Sequence, residues 1–449
     1  MKLFGTDGIR GTANEFPITP EIALRVGRAI ARVLDAQKPG RHKVVIGKDT
    51  RLSGYMLETA LTAGLVSEGA RVLLTGPLPT PAVAHLTKSM ACDAGIMLTA
   101  SHNPFQDNGI KIFGPDGFKL GDELEESIES LVAGESLTQP VPGTAVGKAF
   151  RIDDAPGRYI EFAKNAVGPV DLHDMKIVID CAHGAAYFVG PLILGELGAE
   201  VIKIGAAPDG SNINGNCGAL HPEHAAQRVR ETGADLGICL DGDADRLVLI
   251  DGEGSVIDGD RLLCLSALAL QRQGKLEGDT LVATVMSNLG LKEALAKNGI
   301  NLETTGVGDR LVLERMREKG YVVGGENSGH IIFARHATTG DGLMGALQII
   351  SEMKATGRSL ADLANCMEIF PQKLVNISVL EKPPLEEIPG LTQLITEAET
   401  SMGDSGRILI RYSGTEKKIR VMVEARDAAD VERWSRSLCE LVSKEIGAA

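Results

Sequence analysis

Residues 236–246 read Leu-Gly-Ile-Cys-Leu-Asp-Gly-Asp-Ala-Asp-Arg. A short uncharged run ends abruptly on three aspartates at alternate positions. A run of this length, with no polar residue on either side of its alternation, reads as a strand buried on both faces. Similar runs recur at 44–46, 71–74, 95–98, 176–179, 201–204, 281–283 and 321–323. Amphipathic helical stretches lie between them. The clearest is 20–36, where Ile22, Val26, Ala29, Ile30 and Val33 recur at helical spacing. Thr19 is placed to cap it, and Pro20 suits its first position. Strands alternating with helices in this way predict an α/β fold.

Working outward, the alternation weakens at 134–157, rich in Gly, Pro, Ser and Thr, and again around 365–390. A softer break falls near 251–258. Beyond the second break the style changes. Residues 407–425 read as two period-2 strands around a Ser-Gly turn, and 427–445 as a closing amphipathic helix. The expected domains are 1–150, 151–252 and 253–366, each α/β, and 367–449, small and α+β. The stretches 44–54, 177–186 and 281–290 each place a strand before a small or polar turn, as three related units would.

With 449 residues the chain is long enough for several cores. Its 60 acidic and 46 basic residues leave a net charge of −14. That argues against a nucleic-acid partner, whose footprint is basic. An anionic substrate would need positive charge gathered locally. The seven Cys contain no CxxC pair, which predicts thiols in a reducing compartment. The N-terminus lacks an apolar signal region and no apolar run reaches membrane length, so a cytoplasmic location without membrane contact is expected.

Asp241, Asp243 and Asp245 are the strongest chemical signal. In extended chain their side chains would share one side, and three converging carboxylates call for a hard cation such as Mg²⁺ or Ca²⁺. An EF-hand would need Gly and Glu where Arg246 and Gly252 stand. A solvated acidic turn is the alternative. Arg246 is the kind of group that holds phosphate.

Residues 95–104, "GIMLTASHNP", end another apolar run on Ser101. The serine is either a turn residue or a nucleophile. His102 is a doubtful base for it, because sequence neighbours rarely face each other. A phosphoryl group on Ser101 would instead supply anionic oxygens to a cation. Arg10 in "GTDGIRG" and Lys111 in "DNGIKIF" could stabilise charge, or accept a proton if burial lowered their pKa. By spacing alone both read as surface cations. "GGENSGH" brings Glu326, Asn327, Ser328 and His330, donors and acceptors suited to sugar hydroxyls or an amine. "GVGDR" adds Gly308, Asp309 and Arg310. "RYSGTE" offers Arg411, Ser413, Gly414 and Thr415, with Arg420 on the next strand, as a nest for an anion.

Taken together and in order, "TASHNP", "DGDADR", "GENSGH" and "RYSGTE" resemble the phosphoserine, metal, sugar-binding and phosphate-binding loops of the α-D-phosphohexomutase superfamily. With "LFGTDGIRG" and "VGDR", the resemblance points to the branch acting on amino sugars. It implies four domains around a central cleft, one Mg²⁺ per chain, and Ser101 phosphorylated at rest. It also implies a homodimer, and a hexosamine bisphosphate as primer and intermediate between glucosamine 6-phosphate and glucosamine 1-phosphate, a precursor step for cell-wall synthesis. Ser101, Asp241, Asp243 and Asp245 would hold the metal. Arg10, Lys111, His102 and Arg246 would assist the transfer. Glu326, Asn327, Ser328, His330, Gly308, Asp309 and Arg310 would meet the sugar, and Arg411, Ser413, Gly414, Thr415 and Arg420 its distal phosphate. A mutase for glucose or mannose phosphates, or a non-catalytic sugar-phosphate-binding protein, are the alternatives. Two departures stand out: Lys417-Lys418 where the phosphate loop commonly continues with Pro, and His183 where Asn is commoner.

Overall fold

A computed structural model of the chain describes residues 2–5, 7–134, 141–413 and 417–448. Its strands gather into four sheets. The first has a parallel centre, with Ala94–Leu98, Lys43–Lys48, Arg71–Pro77 and Lys148–Arg151 side by side. Antiparallel strands Asp107–Phe113, Gly8–Thr12 and Phe4–Gly5 extend it beyond Ala94–Leu98. Side chains alternate across the sheet as the pleat requires. Val44, Ile46, Val72, Ile96 and Leu98 pack with helices Pro20–Gln37 and Ser53–Ser67. Val45, Leu73, Met97 and Phe113 pack on the other side with Val83 and Ala84 of helix Thr80–Ser89.

Helix Pro20–Gln37 starts as its sequence predicts, with Thr19 Oγ1 accepting from the Ile22 N–H at 3.3 Å. It crosses Ser53–Ser67 backbone to backbone. A Cβ on Gly27 would lie 2.5 Å from the Leu61 carbonyl oxygen, and one on Gly64 would lie 2.2 Å from that of Leu24.

The second sheet runs Glu200–Ile204, Lys176–Asp180, Leu236–Leu240 in parallel, then Leu247–Asp251 and Val256–Ile257 antiparallel. The third runs Asn301–Thr305, Thr280–Thr284, Val323–Gly325 in parallel, then Ile331–Phe333 antiparallel. Lys43–Lys48, Lys176–Asp180 and Thr280–Thr284 each lie between two parallel neighbours in their sheets. These are the strands of the three similar stretches noted in the sequence. One expected strand is displaced. It starts at Val323, not residue 321, because Gly324 and Gly325 pair with Val282 and Ala283 and, on the other side, with Ile332 and Ile331.

Helices Glu223–Thr232 and Asp309–Lys319 end on Gly233 and Gly320, both left-handed, and feed the amino ends of Leu236–Leu240 and Val323–Gly325. The chemically dense segments leave from the opposite, carboxyl ends, where ligands bind in open α/β sheets.

The fourth sheet is antiparallel, with Lys418–Ala425 between Gln372–Ser378 and Gly406–Tyr412. Ile419, Val421 and Val423 form a core with helices Leu391–Met402 and Ala428–Ile446. The chain divides into two compact units, Met1–Met286 with Gly299–Cys366, and Ser287–Asn298 with Met367–Ala449. Helix Leu289–Lys297 thus goes with the fourth sheet, its Leu289 N–H donating to Glu424 at 2.7 Å. Among the described residues no helix is long and apolar enough to cross a membrane.

Candidate active site

After strand Ala94–Leu98 the chain turns through Ser101, whose φ is 52°. Ser101 is buried, and its Oγ donates to Asp241 Oδ2 at 2.6 Å. The left-handed turn also brings His102 Nδ1 to 3.3 Å from that Oγ. The two neighbours do face each other, contrary to expectation. Burial, with Arg246 and Arg10 nearby, pushes the His102 imidazole down to about 4. It is neutral at neutral pH and a weak base.

The aspartates converge, but not by extended alternation. Residues 241–246 form a turn in which Ala244 has φ 58° and donates its N–H to the Asp241 carbonyl at 3.1 Å. One carboxylate oxygen from each aspartate lies within 4.8 Å of the others. All three residues are buried, so the solvated-turn reading fails. Gly242 presses against the serine loop, where a Cβ would meet the Ser101 carbonyl oxygen at 2.5 Å.

Charge in this cluster is uneven. Burial and the neighbouring Asp245 and Asp243 raise the Asp241 carboxyl well above its ordinary range. Burial acts the same way on Asp245, but Lys111 and His330 outweigh it and hold that carboxyl well below. Asp243 Oδ2 accepts from Thr80 Oγ1 at 2.6 Å and from Lys111 Nζ at 2.9 Å. Oδ1 of Asp243 and Oδ1 of Asp245 are buried with no hydrogen-bond partner among the described residues. Two orphaned carboxylate oxygens beside Asp241 and the Ser101 hydroxyl form an oxygen-only donor set, which fits Mg²⁺.

Lys111 is no surface cation. It lies on strand Asp107–Phe113, is buried, and reaches Asp243 at 2.9 Å, Asp245 at 3.3 Å and Asp7 at 3.4 Å. Burial disfavours its charge, but the three carboxylates outweigh burial and raise its pKa well above the ordinary lysine value. It stays protonated, which suits electrostatic stabilisation and not base catalysis. Arg10 is half-buried and pairs with Asp7. The Arg246 N–H donates to Asp241 Oδ1 at 3.2 Å, and its Nε is buried without a partner among the described residues.

From here the charges close into a ring that sequence reading missed. Asp7 takes Lys119 Nζ at 2.5 Å, and Lys119 also meets Asp309 at 2.7 Å. Asp309 lies 3.4 Å from His330 Nε2, and His330 Nδ1 lies 3.7 Å from Asp245. The order is Asp245, His330, Asp309, Lys119, Asp7, Lys111 and back to Asp245, with acidic and basic side chains alternating throughout. Burial works against the His330 charge, but Asp245, Asp309 and Glu326 prevail and raise it to about 8. The only hint was that Asp7 stands in "GTDGIRG" and Lys119 in "GPDGFKL"; neither stretch shows the other as its partner.

Glu326 Oε1 accepts from the Gly308 N–H at 3.1 Å, so Gly308, Asp309, Glu326 and His330 come together. Asn327 is half-buried and Ser328 exposed on the same loop. Arg310 is not part of this group. It is committed to Asp122 at 2.7 Å and Glu314 at 3.0 Å.

In the second unit Arg411 and Arg420 sit directly opposite on paired strands. They lie on the face away from the helices, since Ile419 and Val421 fill the core. Burial, and then Arg420, lower the Arg411 pKa from its ordinary value. The Ser413 N–H donates to the Lys418 carbonyl at 2.8 Å, closing the hairpin. Gly414 and Thr415 lie outside the described residues.

The sequence matches the phosphoglucomutase/phosphomannomutase family in four pieces: alpha/beta/alpha domain I over residues 1–139, domain II over 157–254, domain III over 258–370 and the C-terminal domain over 374–441. Phosphoglucosamine mutase of Geobacter metallireducens is 52% identical over 450 residues, covering 99% of each chain. Among solved structures, a phosphoglucomutase/phosphomannomutase family protein of Burkholderia thailandensis superposes with a TM-score of 0.80 at 24% identity, over 99% of this chain and 97% of that one. N-acetylphosphoglucosamine mutase of Aspergillus fumigatus, in complex with GlcNAc-6P and magnesium, gives 0.67 at 18% identity, over 100% and 96%. The chain belongs to the phosphoglucomutase/phosphomannomutase family and, within it, to the phosphoglucosamine mutases.

Proposed function

We infer that this enzyme interconverts glucosamine 6-phosphate and glucosamine 1-phosphate, with Ser101 as phosphoryl carrier. The observation that carries the reading is the 2.6 Å bond from Ser101 Oγ to Asp241 inside a buried, cation-hungry carboxylate cluster. A binding protein has no use for a serine held in that position. In the forward half-reaction the free sugar hydroxyl attacks the phosphorus on Ser101. The new O–P bond forms, the Ser101 Oγ–P bond breaks, and the proton lost by the sugar hydroxyl ends on the departing Ser101 Oγ. In the return half, Ser101 Oγ attacks the other phosphoryl of the bisphosphorylated sugar, that sugar O–P bond breaks, the freed sugar oxygen takes the serine proton, and the monophosphate departs.

Asp241, Asp243 and Asp245, with an oxygen at Ser101, would hold one Mg²⁺, which when bound neutralises charge on the transferring phosphoryl. Lys111 and Arg246 add fixed positive charge beside it. Glu326, Asn327, Ser328, His330, Gly308 and Asp309 contact the sugar, and Arg411, Ser413 and Arg420 hold its far phosphate. Support for the latter is the facing arginine pair, whose like charges a bound anion would offset. All seven cysteines are free thiols, which supports a reducing compartment such as the cytoplasm.

Ser101→Ala should abolish turnover of glucosamine 6-phosphate. Normal rates in that variant would sink the assignment. Turnover compared across glucosamine, glucose and mannose phosphates, with Mg²⁺ and with a chelator, tests the substrate. Equal use of the neutral sugars would overturn it.

A further inference from the structure

Arg51 stands in "GKDTRLSG", just past the carboxyl end of strand Lys43–Lys48. The neighbouring parallel strand, Ala94–Leu98, opens the Ser101 loop. Arg51 is fully buried, and all five of its guanidinium N–H donors have acceptors. Nε donates to Asp49 Oδ2 at 2.8 Å. One terminal nitrogen donates to the carbonyls of Ser101 at 2.9 Å and Asn103 at 2.8 Å. The other donates to the carbonyls of Pro104 and, at 2.9 Å, Asp107. Four carbonyls of one loop therefore converge on a single planar cation.

Asp49 completes the arrangement. Its Oδ2 also accepts from Thr99 Oγ1 at 2.7 Å, and Thr99 Oγ1 in turn accepts the Ser101 N–H at 2.8 Å. From the second sheet's side, Asn214 Nδ2 donates to the Ser101 carbonyl at 2.9 Å. Both backbone polar groups of Ser101 are thus fixed. A serine at φ 52° occupies a conformation that non-glycine residues adopt only at a cost, so surrounding bonds must hold it there. With the backbone pinned, the rotamer alone decides where Oγ points, and it points at Asp241.

We propose that Arg51, with Asp49 and Thr99, is the positioning residue that holds the Ser101 loop in its reactive shape. The proposal rests on Ser101 being the phosphoryl carrier. Arg51 bonds to loop carbonyls and to Asp49 and not to the reacting oxygen, so it acts through geometry. Ser101 Oγ must serve as leaving group in one half-reaction and nucleophile in the other, and must return to one place each time. A misplacement of about 1 Å costs on the order of a hundredfold in rate. Lysine could not substitute, since it offers three donors from one point and not five in a plane.

The test uses the full chain with Arg51→Lys, Thr99→Val and Thr99→Ser. Arg51→Lys should lower kcat about a hundredfold with KM changed less than about threefold. Thr99→Val should lower kcat about tenfold, and Thr99→Ser, which keeps the hydroxyl, should restore it. Amide hydrogen exchange should quicken across 101–108 in Arg51→Lys and stay unchanged in helix Ala428–Ile446. Wild-type kcat with unchanged exchange in Arg51→Lys would overturn the proposal. Should that variant fail to fold, equal kcat for Thr99→Val and Thr99→Ser would do so. A wild-type chain idle on glucosamine 6-phosphate, with exchange still quickened by Arg51→Lys, would count against the reaction and support the clamp.

Discussion

The Ser101–Asp241 region and the Arg411–Arg420 strand pair treat charge in opposite ways. Around Ser101 six charged or basic groups answer one another in a ring, and what is left unmet is mostly carboxylate, two orphaned oxygens that call for a cation, with the Nε atoms of Arg10 and Arg246 also unpartnered among the described residues. On the C-terminal sheet two like charges face each other at direct register with the Arg420 Nε buried and unpartnered among the described residues. The unmet demand there is for an anion. A net charge of −14 thus leaves room for a local excess of positive charge, of which the Arg411–Arg420 pair is one case.

The contrast breaks first, and hardest, at Asp243. Asp243→Asn should lower kcat on the order of a thousandfold and weaken Mg²⁺ binding measured by calorimetry with the metal alone. Unchanged Mg²⁺ affinity would mean that the carboxylate cluster is not the cation site.

Next comes Arg420→Met. Losing one charged contact to phosphate should raise KM about 10- to 100-fold with a smaller change in kcat. The same variant removes a like-charge cross-strand pair, so its melting temperature should hold or rise. A raised KM with lost stability would point to general disruption; unchanged KM would remove the anion from the comparison altogether.

The smallest effect lies away from both regions and separates acid sensitivity of the fold from that of the site. His85 stacks on Phe162 with ring centroids 3.8 Å apart. Burial, and then Lys88, push its imidazole down to about 4. Because the folded state binds that proton less readily than the unfolded one, the stability is complete above about pH 6.5 and is lost as pH falls toward 4. After allowance for partial exposure the loss should be about 2 kcal/mol. Urea unfolding across that range should show it, and His85→Phe should flatten the slope; an unaltered slope would place the acid response elsewhere.

What could be read from sequence was what is local. Strand ends followed by Ser101, Asp241 and Glu326 were visible because apolar runs and their terminating residues are contiguous. The clustering of the aspartates was correctly expected for a partly wrong reason, since a left-handed Ala244 and not extended pleating gathers them. Lys111 was misjudged because burial depends on what packs over it. The Asp7–Lys119–Asp309 links span 112 and 190 residues of sequence, and no spacing rule reaches that far. Arg310 shows the converse: its motif is legible in the sequence, but its ion pairs with Asp122 and Glu314 are not.

The glycines that end helices Glu223–Thr232 and Asp309–Lys319 have a consequence for how such a chain can be altered. A Cβ at Gly233 or Gly320 would have no atom within 4 Å, so these turns open onto free space at the amino ends of their sheets. The loops that carry Asp241 and Glu326 depart from the other ends of those two sheets. Sequence can accordingly be inserted at these turns, as a reporter, an affinity handle or a lineage-specific extension, while the residues that handle phosphate stay where they are.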